Sequence, residues 1–267
     1  MYYSTELGDH VVKFVFDLDG TICFKGRPVS ETILSVLEEL TDAGHEVIFA
    51  SARPIRDLLP VLHERFHTYP LIGGNGSLIS TNGRITEVES FTEAQIQQLF
   101  RLMEAHEVTY LIDGDWDYAY TGPVDHPILN NVDAAKLAQQ VPVQSLQSII
   151  KILILTASDT ESLTEKLAAL GVVIHRNNRE NTIDVNPPSV DKWTALRKLG
   201  VKENQFIAFG NDSNDVPMFK SAWHSVMIGH HDELAPFSSE AIPFTDDVEH
   251  QIVAKIRELA KQHVLKS

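Results

Sequence analysis

Apolar residues along this chain fall into short blocks whose spacing alternates between two periods. The run Val11–Phe16 is almost wholly apolar, the pattern of a strand covered on both faces. The spacing then changes to Ile33, Leu37 and Leu40, one face of a helix with Ser30 as its cap and Gly44 as its end, before a second apolar block at 46–50. This is the pattern of a βαβ unit. A helix-like stretch at 55–66 and a short strand at 70–72 extend it, and alternation returns from 181 with strands near 205–209 and 224–228. The succession predicts an α/β fold on a doubly wound parallel sheet.

The middle of the chain reads differently. A hairpin around Asn82-Gly83, an amphipathic stretch at 93–106, strands near 108–112 and 149–155 and a helix at 159–169 predict an inserted α+β domain over roughly 84–182. The core domain is then discontinuous, formed by 1–83 and 183–267.

Composition narrows the function. With 267 residues and 43% hydrophobic side chains, one or two domains with a packed core are expected. A formal net charge of -15 argues against a nucleic-acid surface, because phosphate backbones are bound by clustered Lys and Arg. Cys23 is the single cysteine, which excludes an intrachain disulfide and fits a reducing compartment. No apolar run approaches the roughly 20 residues of a membrane span, and no basic segment precedes an apolar one at the N-terminus, so a cytoplasmic protein with no membrane partner is expected. The 12 histidines show no convincing zinc spacing, and solvent exposure is their default. Asp246-Asp247 suits the opening of the final helix.

The candidate chemistry lies at the ends of the predicted strands. Asp17-Leu18-Asp19-Gly20-Thr21 follows the first strand, so Asp17 and Asp19 share one side if the extended geometry continues, and Gly20 lets the chain turn away. Two carboxylates suit Mg2+, and one beside a metal can also attack phosphorus. An ordinary Asp-Gly turn explains the same residues. Ser51-Ala52-Arg53 follows the second strand, where Ser51 reads as a helix cap ahead of Pro54, a position compatible with phosphate because helix N-termini attract it. Lys192 opens a helix, where a lone lysine is ordinarily solvated. Gly210-Asn211-Asp212-Ser213-Asn214-Asp215 follows the strand at 205–209 and reads equally as a polar loop capping the next helix.

In this order the four segments resemble the haloacid dehalogenase superfamily, specifically the Cof-type, subclass IIB, sugar-phosphatase-like branch. The resemblance spans nearly the whole chain. The insertion falls between the second and third segments, as the cap domain does in that branch. The resemblance implies a Mg2+-dependent phosphatase acting on small phosphomonoesters such as sugar phosphates. Asp17 would be the nucleophile that becomes an aspartyl-phosphate, and Asp19 the general acid and base. Leu18, Ser51, Ala52, Lys192 and Asn214 would surround the phosphoryl group. Asp17, Asp19 through its carbonyl, and the group Asn211, Asp212 and Asp215 would hold Mg2+. The chain departs from the family pattern twice. Ser51 replaces a commoner threonine, and Asn211 stands where a metal-binding aspartate is expected, so either Asn211 or Asp212 supplies that ligand. A phosphotransferase or mutase using the same intermediate, or a non-catalytic phosphometabolite sensor, are the alternatives. The partner is a small phosphorylated metabolite, and the protein a monomer or small homo-oligomer. Asp113–Tyr118 is a candidate substrate contact from the cap, though such a segment is ordinarily an exposed turn. Gly73–Gly76 lacks the Lys and Ser/Thr of a Walker loop and reads as a turn into the cap.

Overall fold

The structure, a computed structural model, describes residues 11–177 and 182–264. The readings of the first ten residues and of the point at 181 where alternation resumes lie outside that range. The chain divides into two compact units, one running to Phe49 and again from Val201, the other spanning Ala50–Gly200.

The first unit opens with β1 (Lys13–Phe16), α1 (Glu31–Asp42) and β2 (Glu46–Ala50). β1 and β2 pair in parallel, with Phe16 opposite Phe49. Phe14, Val15 and Phe16 are all buried, as a strand covered on both faces requires. α1 buries Ile33, Leu34, Val36, Leu37 and Leu40. Ser30 precedes the helix in an extended conformation but makes no side-chain cap; its hydroxyl donates to Glu249 at 2.6 Å. Gly44 adopts φ +85° just after the helix, as its ending role requires.

The second unit begins with α2 (Ile55–Leu58), a single turn followed by 3-10 turns at Leu59–Val61 and Glu64–Phe66. The continuous helix expected over 55–66 does not form, because Pro60 has no amide to donate and its ring obstructs the preceding turn. β3 (Leu71–Gly73), β4 (Leu78–Thr81) and β5 (Arg84–Val88) pair antiparallel, and Asn82 and Gly83, at φ 53° and 73°, make the hairpin turn. Then come α3 (Glu93–Ala105), β6 (Thr109–Asp113), β7 (Tyr118–Tyr120), β8 (Lys151–Thr156), α4 (Thr160–Ala169), β9 (Val173–Asn177), β10 (Thr182–Asn186) and α5 (Lys192–Lys198). A reciprocal capping box between Thr92 and Gln95 starts α3. The strands β6 to β10 form an antiparallel sheet in the order β7-β6-β8-β10-β9. Leu99 and Met103 of α3 and Leu163 and Leu167 of α4 pack with Ile112, Ile152, Ile154 and Val185 to form its core.

The chain returns to the first unit with β11 (Phe206–Gly210), α6 (Val216–Ser221), β12 (His224–Ile228), β13 (Glu240–Ile242) and α7 (Val248–Val264). The parallel strands run β13-β12-β11-β1-β2. β1 therefore sends the chain to β2 on one side and receives β11 on the other. Such a switch point leaves a crevice beyond the carboxyl ends of the strands. The fold is α/β, a doubly wound parallel sheet with an inserted α+β region. Among the described residues the histidines are not uniformly exposed: His45 and His106 are buried, and burial lowers the pKa of His45. Among the described residues no helix is long and apolar enough to cross a membrane.

Candidate active site

Asp17 stands immediately past β1, and its amide still donates to Phe209 at 2.9 Å, so the parallel ladder carries it to the strand end beside β11. The extended geometry stops there. The carbonyl of Leu18 collects the amides of Thr21, Ile22 and Cys23 at 3.1, 3.0 and 2.8 Å, closing a tight turn that Gly20 permits at φ +80°. Within this turn Asp17 and Leu18 are buried, whereas Asp19 is exposed. Asp17 is thus held in place and Asp19 is open to solvent.

The turn brings Thr21 back onto Asp17. The Thr21 hydroxyl donates to Asp17 Oδ2 at 2.7 Å and lies 3.3 Å from Asn211 Oδ1. Asn211 itself is positioned from below: the buried Asp215 carboxylate accepts the amides of Asn211 and Asp212 at 2.8 and 3.1 Å through one oxygen. Gly210 leaves room for that carboxylate, since a Cβ there would stand 2.5 Å from Asp215 Oδ2. Asp212 is directed elsewhere, with Oδ1 accepting the Ser213 amide at 2.6 Å and 3.1 Å from His231 Nε2. Asn214 lies half-buried in the turn Ser213–Asp215.

These donors bear on whether a metal fits. Among the described residues no three His, Cys, Asp or Glu side chains gather as a metal cluster. The oxygens near Thr21 are instead one carboxylate, from Asp17, and one amide, from Asn211. An all-oxygen set suits Mg2+, which binds through one or two carboxylates and keeps several waters. The residues therefore fit the ion. Of the two candidates for the departing ligand, Asn211 lies beside Asp17, whereas Asp212 faces His231.

The second unit places the remaining candidates. Ser51 and Ala52 follow β2, and Ser51 donates its amide to Ile72 at 2.8 Å. Ser51 does not cap α2, whose N-cap is Pro54; its hydroxyl accepts the Arg53 amide at 3.1 Å. Lys192 opens α5 behind a capping box between Asp191 and Thr194, and it is fully buried, contrary to a solvated surface lysine. The turn at Gly74–Gly76 links these parts. The Asn75 amide donates to Ser51 O at 3.0 Å, and a Cβ on Gly76 would lie 2.3 Å from Asp191 O. The Asn75 side chain, at φ 59°, donates to Asn186 at 3.0 Å.

Sequence reading missed a buried charge network in this unit. Arg56 of α2, 1% exposed, donates to Asp113 of β6, to Asp57 at 3.2 Å and to the Trp116 carbonyl at 2.8 Å, with its guanidinium 4.9 Å from the Tyr118 ring centre. Burial opposes the charge of Arg56, and Asp113 and Asp57 outweigh it, so its pKa is raised. Asp57 accepts the Asp133 amide at 2.7 Å; burial pushes its pKa up to about 6 despite Arg56. Asp113–Tyr118 is therefore a turn between β6 and β7, as one reading of it holds, but its first residue is wholly buried rather than exposed. Only Asp113 itself, an acid at the end of an apolar strand, hinted at this in the sequence.

Residues 14–250 match the model of the haloacid dehalogenase-like hydrolases, and the chain belongs to that family. It is an enzyme of that hydrolase class. It is similar to the 5-amino-6-(5-phospho-D-ribitylamino)uracil phosphatase YitU of Bacillus subtilis, 23% identical over 231 residues, covering 80% of this chain and 85% of that protein. A haloacid dehalogenase-like hydrolase from Bacteroides thetaiotaomicron shares its fold at a TM-score of 0.75, 17% identity and coverage of 93% and 99% of the two chains. So does the subclass IIB sugar phosphatase BT4131, at a TM-score of 0.75, 15% identity and the same coverage.

Proposed function

We propose that this enzyme is a Mg2+-dependent phosphatase that hydrolyses small phosphomonoesters, such as sugar phosphates, through an aspartyl-phosphate on Asp17. The observation that carries the reading is the buried Asp17 carboxylate at the end of β1, oriented by the Thr21 hydroxyl at 2.7 Å beside Asn211, in a chain of this hydrolase family. Relatives named as phosphatases support the substrate class.

In the first step an Asp17 oxygen bonds to phosphorus as the ester P–O bond breaks, and Asp19 gives its proton to the departing alkoxide. In the second, Asp19 takes a proton from water as the water oxygen attacks phosphorus, releasing phosphate and restoring Asp17. Ser51, Ala52, Lys192, Asn214 and the Leu18 main chain surround the phosphoryl oxygens in this reading. Mg2+, held by Asp17, the Asp19 carbonyl and Asn211 with Asp212 and Asp215 in support, would neutralise charge on those oxygens. The segment 84–182 acts as the cap domain that selects the leaving group, 1–83 and 183–267 form the catalytic core, and the protein works in the cytoplasm as a monomer or small homo-oligomer.

Asn211 is the observation that favours a non-catalytic phosphometabolite sensor, since an amide binds a cation less strongly than a carboxylate. A phosphotransferase or mutase would share the intermediate. Release of inorganic phosphate from a panel of sugar phosphates, pyridoxal phosphate and nucleoside monophosphates, with and without Mg2+ and with competing sugar acceptors, separates the three. Metal-dependent free phosphate supports hydrolysis, phosphorylated acceptor supports transfer, and binding without turnover supports the sensor.

A further inference from the structure

The charge network of the second unit reaches the loop after β2 through one side chain. Lys151 of β8 is 7% exposed and donates to the Ala52 carbonyl at 3.0 Å. Its carboxylate neighbours are farther away, Asp184 at 3.6 Å and Asp113 at 3.8 Å, beyond hydrogen-bond length. A lysine placed only to pair charges would close on a carboxylate at about 2.8 Å. Here the carboxylates balance the ammonium, and the main-chain carbonyl takes the short bond. Burial acts against the charge, and Asp184, Asp113 and Asp57 outweigh it.

The three consecutive carbonyls of this loop are all held. Ser51 O accepts the Asn75 amide at 3.0 Å, Arg53 O accepts the Gly74 amide at 2.8 Å, and Ala52 O accepts Lys151. The first two partners are main chain, so Lys151 supplies the side-chain contact. The peptide linking Ala52 to Arg53 is planar, so fixing its carbonyl also fixes its N–H, and that N–H donates to Ser51 Oγ at 3.1 Å. An ammonium on the carbonyl also polarises the peptide and strengthens its N–H as a donor.

We propose that Lys151 is a positioning residue that orients the Ser51 hydroxyl through the Ala52–Arg53 peptide, linking the inserted sheet to the phosphoryl-binding loop. The inference rests on the reading of Ser51 and Ala52 as phosphoryl contacts. Asp113 and Asp184 hold the ammonium in place, and Arg56 fixes Asp113 in turn. In this reading the inserted sheet and the phosphoryl-binding loop are joined by one relay, with ion pairs from Asp113 and Asp184 to Lys151 and hydrogen bonds from Lys151 through the Ala52–Arg53 peptide to Ser51.

A double-mutant cycle tests it, with p-nitrophenyl phosphate as ester and inorganic phosphate as competitive inhibitor. Lys151→Met, and Lys151→Met with Asp184→Asn to restore charge balance should the single variant fold poorly, are each made in wild-type and Ser51→Ala backgrounds. In the wild-type background kcat/KM and phosphate affinity should each fall at least tenfold. In the Ser51→Ala background the same change should cost less than threefold, because the hydroxyl it orients is gone. A full effect in both backgrounds, or a lower melting temperature with unchanged kcat, KM and phosphate affinity, overturns the inference. If Ser51→Ala alone changes neither kcat/KM nor phosphate affinity, the underlying assignment of Ser51 falls first, and this inference with it.

Discussion

Gly20 and Asn211 fit against each other so closely that a methyl group on Gly20 would stand 2.1 Å from Asn211 Nδ2. Gly20 also has φ +80°. Gly20→Ala should therefore destabilise the first unit by roughly 1–3 kcal/mol and displace Asn211 from Thr21. Urea unfolding and steady-state kinetics on the same variant would register both effects; a variant matching wild type in each would mean the turn relaxes without consequence.

Asn211 lies beside Asp17 through the Thr21 hydroxyl, while Asp212 faces His231. Asn211→Asp adds a charged oxygen of the same size at that point, so the Mg2+ concentration giving half-maximal rate should fall about tenfold. Asp212→Asn should leave it nearly unchanged. Mg2+ titrations of the two variants distinguish the ligands, and the opposite ranking would assign the metal to Asp212.

Asp215 acts on the loop more than on solvent. It is fully buried and accepts two main-chain amides through one oxygen. Asp215→Ala leaves both donors unmet and should cost about 2–4 kcal/mol of stability, with Asp215→Asn costing less. Equal stability of the alanine variant and wild type in urea would contradict the geometry.

Asp57 carries a pH signature. Burial comes first among the causes that raise its pKa, from 3.8 to about 6 in the folded protein. A carboxylate raised on folding keeps its proton longer when folded, so the folded state binds more protons than the unfolded one between about pH 4 and 6. Its contribution to stability is present below pH 4, declines as pH rises through that window and is constant above it. Unfolding free energies from pH 4 to 7 should show the Asp57→Asn variant gaining on wild type by about 2 kcal/mol across that interval. A constant difference would mean that folding leaves the Asp57 pKa at its unfolded value.

The sheet and the loops at its strand ends were legible because apolar runs and their terminal polar residues are contiguous in sequence. β1, α1, β2 and β11 lie within a residue or two of where periodicity placed them. The helix over 55–66 was misread because a single proline, Pro60, overrides a favourable apolar spacing. β7 escaped notice because it has only three residues, and β9 because it mixes polar with apolar positions. The charge network was illegible for a different reason. Arg56, Asp113, Lys151 and Asp184 come from four separate elements, and no spacing in the chain announces that they meet. Asn75 looked like an ordinary turn residue, and only its bonds to Ser51 and Asn186 reveal its part in the loop.

The most direct test compares wild type with Asp17→Asn on the best ester found, in saturating Mg2+. The substitution keeps an oxygen to accept the Thr21 hydroxyl and removes only the nucleophile. Turnover should fall at least about 10³-fold with the melting temperature preserved. A variant that hydrolyses the ester at the wild-type rate would contradict the covalent role of Asp17.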